Sequence, residues 1–99
     1  MPDTKNIRSK DVDDLLRTLA AMDDEDDIFA LLEDLFTVRE IRETSQRLAV
    51  ARLLREGKPY SAIEKTTGAS ATTIARVSKC LSYGAGGYVK ALDLLDATE

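Results

Sequence analysis

Chemistry in this chain is confined to a few side-chain types. There is no His and no Trp, and Cys80 is a single cysteine, so the usual general base, the commonest metal ligand and an intrachain disulfide are all missing. Carboxylates, lysines, arginines and hydroxyls remain, but no nucleophile and base pair can be read from their spacing. No catalytic residue, cofactor or metal is expected. What the residues could do is recognise a surface. Ala71, Thr72, Ala75, Arg76 and Lys79 project from one helix over its first two turns, and short side chains there let a helix sit close to base edges in a DNA groove. Ala and Thr methyls can contact thymine methyls, Thr hydroxyls can bond bases or phosphates, and Arg76 and Lys79 can meet phosphates or guanine. With the residues at the head of that helix, the expected DNA-binding set is Ser61, Ser70, Ala71, Thr72, Thr73, Ala75, Arg76 and Lys79. Ser61 could instead cap its own helix.

The elements that must position these residues are helices throughout, because apolar residues recur at helical spacing and no stretch alternates at the strand period. The fold class is all-α, with about six helices. Val12, Leu15, Leu16 and Leu19 form the stripe of a first helix, about Asp11 to Met22. The acidic run Asp23 to Asp27 suits the positive end of a helix dipole and opens a second, with Ile28, Leu31, Leu32 and Leu35 on its apolar face. The third runs from about Val38 to Glu56, begun by a Thr37–Glu40 capping box and stopped by Gly57-Lys58-Pro59. Two short helices follow, Tyr60 to Thr67 and Ala71 to Ser82, joined by Gly68-Ala69-Ser70, and a last one spans about Tyr88 to Asp96.

The two short helices and their Gly-containing turn, residues 60–82, make a helix-turn-helix. Ile63, Thr67, Ala69, Ile74 and Val77 have the spacing to form its shared core, which leaves the opposite side of the second helix free. Glu64 departs from the small residue that many such motifs place at the position after Ile63. Charge agrees with the recognition reading. The net value is −4, but residues 37–92 hold ten Lys/Arg against four Asp/Glu, whereas residues 1–36 hold four against eleven. A basic middle between acidic ends can present a positive face.

Other groups invite functions that their surroundings do not support. Gly84-Ala85-Gly86-Gly87 has neither a preceding strand nor a following Lys-Ser/Thr pair, so a hinge is expected rather than a phosphate loop. The carboxylates Asp23 to Asp27 point in different directions and read as a solvated face. Cys80, at helical spacing from Ile74, Val77 and Leu81, is expected to be a buried small apolar residue rather than a redox sensor.

On Leu53-Leu54-Arg55-Glu56-Gly57, Gly68-Ala69, Thr73-Ile74-Ala75-Arg76, and Ser78 with Leu81, the chain resembles the tryptophan repressor superfamily, and within it the YerC/YecD group of repressor-related proteins. The match covers about Leu35 to Leu95. The resemblance implies an intertwined homodimer whose two helix-turn-helix heads meet successive major grooves. It also implies DNA contacts by Ser61, Ala71, Thr72 and Ala75. In the tryptophan repressor, two arginines embrace the ligand beside the recognition helix. Arg76 stands at one of these positions, and the other falls on Gln46, with Arg47 one residue along and about 100° away round the helix. Gln46, Arg47 and Arg76 are therefore the effector-binding candidates. Val77 replaces the Gly that admits the ligand, so tryptophan is not the expected effector. Arg76 could equally meet a phosphate or pair with Glu43 or Glu40.

Ninety-nine residues make one domain with a modest core, for which a second copy is a natural complement. Residues 1–9 are expected to be flexible. No apolar run approaches the ~20 residues of a membrane span, and the single cysteine and the lack of an apolar leader point to the cytoplasm. The expected function is a homodimeric, sequence-specific transcriptional regulator, a repressor, whose partner is double-stranded DNA. The alternative is a helical protein–protein interaction module.

Overall fold

The computed structural model describes residues 7–99, so most of the stretch expected to be flexible, residues 1–6, lies outside it. Six helices appear in order: α1 (Lys10–Ala21), α2 (Glu25–Leu35), α3 (Val38–Arg55), α4 (Tyr60–Thr67), α5 (Ala71–Tyr83) and α6 (Gly87–Thr98). The expected elements are all present, and no strand occurs among the described residues. The last helix runs two residues further than its apolar pattern implied, as far as Thr98.

Local chemistry explains the boundaries. Ser9 Oγ accepts from the Val12 amide and Asp24 Oδ1 from the Asp26 amide at 2.8 Å, so a hydroxyl opens α1 and the acidic run opens α2. At the end of α3 the Lys58 and Gly57 amides donate to the Leu53 and Leu54 carbonyls, a paired closure that satisfies the last carbonyls of the helix. Gly68 ends α4 at φ 77°, a left-handed conformation that side chains resist. Ser70 then opens α5 by accepting from the Thr73 amide at 3.2 Å. Ser70→Ala is expected to lower unfolding stability by about 0.5–2 kcal/mol, read from urea denaturation, because an orphan amide at the start of α5 loses its acceptor.

The chain divides into two compact units, Met1–Val38 and Arg39–Glu99. In the first, neither α1 nor α2 buries a residue. Leu15 and Leu16 of α1, Phe29 and Leu35 of α2 and the following Phe36 are all exposed. In the second, Val50, Ala51, Ile63, Ala69, Ile74, Val77 and Leu92 are buried together, with Leu48, Leu53, Leu54, Leu81 and Tyr88 packed against them. Four of the five residues expected in the core of the helix-turn-helix are in this cluster. The fifth, Thr67, is half-buried, and its hydroxyl donates to the Ile63 carbonyl at 2.7 Å and accepts from the Ala69 amide at 3.1 Å.

The acidic end of the chain clasps α6 onto α3. Arg55 donates to Asp93 at 2.7 Å and to Asp96 at 2.5 Å, while Arg52 bonds Glu99 and lies 3.5 Å from Asp96. The Glu99 hydrogen bond holds the Arg52 guanidinium above its ordinary value, and the bonds to Asp93 and Asp96 do the same for Arg55. A raised arginine pKa keeps both guanidinium groups charged at every pH below the ordinary arginine value, so their side of the pairing is lost only as pH rises through the higher folded one. Salt, not the titration of these arginines, is what weakens such solvent-exposed pairs.

Candidate nucleic-acid interface

Helix α5 has two chemically distinct sides. Ile74 and Val77 are buried and Leu81 is half-buried, which turns Ala71, Thr72, Ala75, Arg76 and Lys79 outward, where all five are exposed. The periodicity of α5 therefore separates the residues that hold it from those that it can present. Ser70 is exposed as well, but its hydroxyl is engaged, since it donates to Thr73 Oγ1 at 3.1 Å besides capping the helix. Thr73 is half-buried and faces the α3 side. Ser61 is exposed in the first turn of α4, whose cap position is Pro59. Capping α4 is thus not its task. Glu64 is exposed too, so its charge sits outside the helix-turn-helix core.

The ion pairs divide the positive charge of this unit. Arg39 pairs with Glu43 at 3.0 Å, and Arg52 and Arg55 are held by α6. Lys65, Arg76 and Lys79 make no ion pair among the described residues. The helix-turn-helix thus keeps its cations while those on α3 are partly neutralised. Arg76 does not use Glu43, which is taken by Arg39.

Beside α5 lies a pocket of about 410 Å³ lined by Arg47, Thr73, Arg76, Val77, Cys80 and Tyr88. It brings Arg47 and Arg76, two of the three effector candidates, to one cavity of a size that holds small molecules. Gln46 is elsewhere: it lines a separate groove with Arg42, Arg52 and Thr67, and its Nε2 donates to the Thr67 carbonyl at 3.0 Å. Cys80 is not buried, contrary to expectation. The inward positions of α5 are 74, 77 and 81, and residue 80 stands 100° from 81, at the edge of the apolar stripe where it meets the pocket. Tyr88 packs on the core and closes one wall, whereas Tyr83 is 79% exposed.

The supposed hinge is a short connection, Gly84 to Gly86, between α5 and α6. A Cβ on Gly84 would lie 2.3 Å from the Cys80 carbonyl oxygen, so the backbone approach that starts the turn requires glycine.

Comparison with known proteins agrees with this geometry. Residues 10–96 match the family described as Trp repressor protein. The uncharacterized protein YerC of Bacillus subtilis (strain 168) is 44% identical over 93 residues, which are 94% of this chain and 89% of YerC. The crystal structure of a candidate Trp repressor from Staphylococcus aureus superposes with a TM-score of 0.90 at 32% identity, covering 97% of this chain and 96% of that one. A TrpR-like protein from Eubacterium eligens ATCC 27750 gives 0.88 at 36% identity, over 93% of this chain and 95% of its own. Among the described residues no helix is long and apolar enough to cross a membrane. With a helix-turn-helix whose second helix turns small and cationic residues outward, and with matches running nearly end to end, the chain belongs to the Trp repressor family, a family of DNA-binding regulators.

Proposed function

We propose that the protein is a homodimeric, sequence-specific repressor that acts in the cytoplasm and occupies a roughly palindromic operator through its two helix-turn-helix heads. The observation that carries the reading is the outward side of α5, where Ala71, Thr72, Ala75, Arg76 and Lys79 are exposed together. The N-terminal end of α5 enters the major groove. There Thr72, Ala71 and Ala75 meet base edges, Arg76 and Lys79 meet guanine or phosphate, and Ser61 bonds a phosphate from α4. Ser70 and Thr73 contribute at the helix start, where backbone amides favour an anion.

The second copy is the occupant we assign to the exposed apolar faces of α1 and α2. Two short amphipathic helices without a buried residue are marginal alone, and the large apolar side chains that they leave exposed suit an interface. Beside α5, Arg47 and Arg76 give the pocket a preference for an anionic small molecule as effector, and Val77 on its wall speaks against tryptophan.

The test is recovery of genomic DNA fragments by the purified protein at low and moderate salt, with its mass in solution measured alongside. A shared two-fold motif that survives moderate salt, retained by a dimer, is the expected result. Unselective recovery that vanishes with salt overturns the reading and turns attention to protein partners.

A further inference from the structure

The core that joins α3 to the helix-turn-helix is aliphatic: Val50 and Ala51 from α3, and Ile63, Ala69, Ile74 and Val77 from the two short helices and their turn. Such contacts hold the helices together, and their packing sets the crossing angle only within a range of about 15–20°. A hydrogen bond across this boundary narrows that range, because it has direction. Gln46, half-buried on α3, donates Nε2 to the Thr67 carbonyl at 3.0 Å, across 21 positions of sequence. That carbonyl belongs to the last turn of α4, where carbonyls lack intrahelical donors, so Gln46 supplies a donor that the helix itself cannot.

Thr67 is also the residue on which the turn is built. Its hydroxyl bridges the Ile63 carbonyl and the Ala69 amide, the Gly68 amide donates to the Glu64 carbonyl at 2.8 Å, and Ser70, one residue after Ala69, opens α5. Gly68 carries no side chain between the two helices, and a Cβ placed there would stand 3.9 Å from Gln46 Nε2. The amide of Gln46 is therefore seated against the backbone of the turn, and the turn passes that constraint directly into the first residues of α5.

We propose that Gln46 is a positioning residue for DNA recognition: its amide, donated to Thr67, sets the attitude of α5 on α3, so that the head is held ready by a bond of the chain itself. The proposal rests on the DNA-binding reading above for its consequence, though not for its geometry. Each head of a two-fold dimer must reach its own half-site, and the angle at which it leaves α3 decides which separation of half-sites it fits.

The test uses full-length Gln46→Met, which keeps the length of the side chain and removes the donor, and Gln46→Glu, which keeps the shape and places a carboxylate against the carbonyl. Both are good helix formers, so α3 persists. Affinity is measured against a series of the recovered motif in which the half-site spacing changes by one base pair at a time. The orientation of α5 relative to α3, and amide exchange at Gly68 and Ala69, are followed by NMR without DNA. The expected result is that both variants lose roughly fivefold in affinity at the best spacing, the scale of one lost hydrogen bond, and that their preference among spacings flattens. Without DNA, exchange at the turn quickens while α5 keeps its own helical protection. An unchanged spacing preference, or an unchanged orientation of α5 in both variants, overturns the proposal. Wild-type protein that retains no DNA overturns the DNA-binding reading instead, and NMR then decides the role of Gln46 alone.

Discussion

Ile74→Ala is expected to cost about 2–5 kcal/mol of unfolding free energy, the largest effect of any single substitution considered for this chain. Ile74 is fully buried on the inward side of α5, within a cluster of seven buried residues among those described. Truncation removes three carbons from a small core whose other members, Ile63, Ala69, Val77 and Leu92 among them, are small or branched and have little freedom to collapse into the space. Since small domains have only about 5–15 kcal/mol in all, the loss takes a large share of the total. Urea denaturation of the two proteins checks it, with Thr72→Ala as a comparison: Thr72 is exposed, and a surface change of that kind stays within about 0.5 kcal/mol. Equal stability of wild type and Ile74→Ala would mean that the helix-turn-helix is held from outside the core described above.

On the reading proposed above, Thr72→Ala and Arg76→Ala are expected to weaken operator binding while leaving the proposed dimer intact. For Arg76→Ala the expected loss is about 1–3 kcal/mol, roughly 5- to 150-fold in affinity, the range for removing a charged contact to a base or a phosphate. Salt dependence separates those two roles. If Arg76 meets a phosphate, the slope of log affinity against log salt falls by about one, and all sequences suffer alike. If it reads guanine, the slope changes little and the preference at one base pair relaxes. Thr72→Ala loses a hydroxyl but retains a methyl, so its effect is smaller and concentrated at the position that it contacts. Titration of labelled operator at three salt concentrations, with sedimentation to follow the oligomeric state, measures both. Dissociation of the dimer in either variant would place these side chains in an interface between copies rather than against DNA.

Much of this molecule could be read from residues a few positions apart. The acidic run at Asp24 and the serine at position 70 were expected at helix starts and are found as caps, because a cap is a bond between side chain and backbone within three residues. Ile63, Ala69, Ile74 and Val77 were expected to join the two short helices and are buried, because a period of 3.6 residues fixes which side of each helix is apolar wherever the helix is docked. The outward set on α5 follows from the same arithmetic.

Tertiary structure decided the rest, and always where two distant elements meet. Adjacent residues on α3, Gln46 and Arg47, go to different places: one bonds the end of α4, the other shares a pocket with Arg76. One residue is 100° of helix, so a sequence can narrow such a choice to neighbours but cannot pick between them without knowing the docking angle. Cys80 falls on the same ground: its spacing from Ile74 and Val77 is helical, yet it lies outside the buried sector by one such step. The clasp of Arg52 and Arg55 by Asp93, Asp96 and Glu99 links residues some forty positions apart. Charge counts showed only acidic ends around a basic middle, and nothing in them says which cations the acidic end removes. Local pattern determines the helices and their faces because its physics is local. Which faces meet depends on the whole chain, and here that decides which arginines are neutralised and which remain to be used.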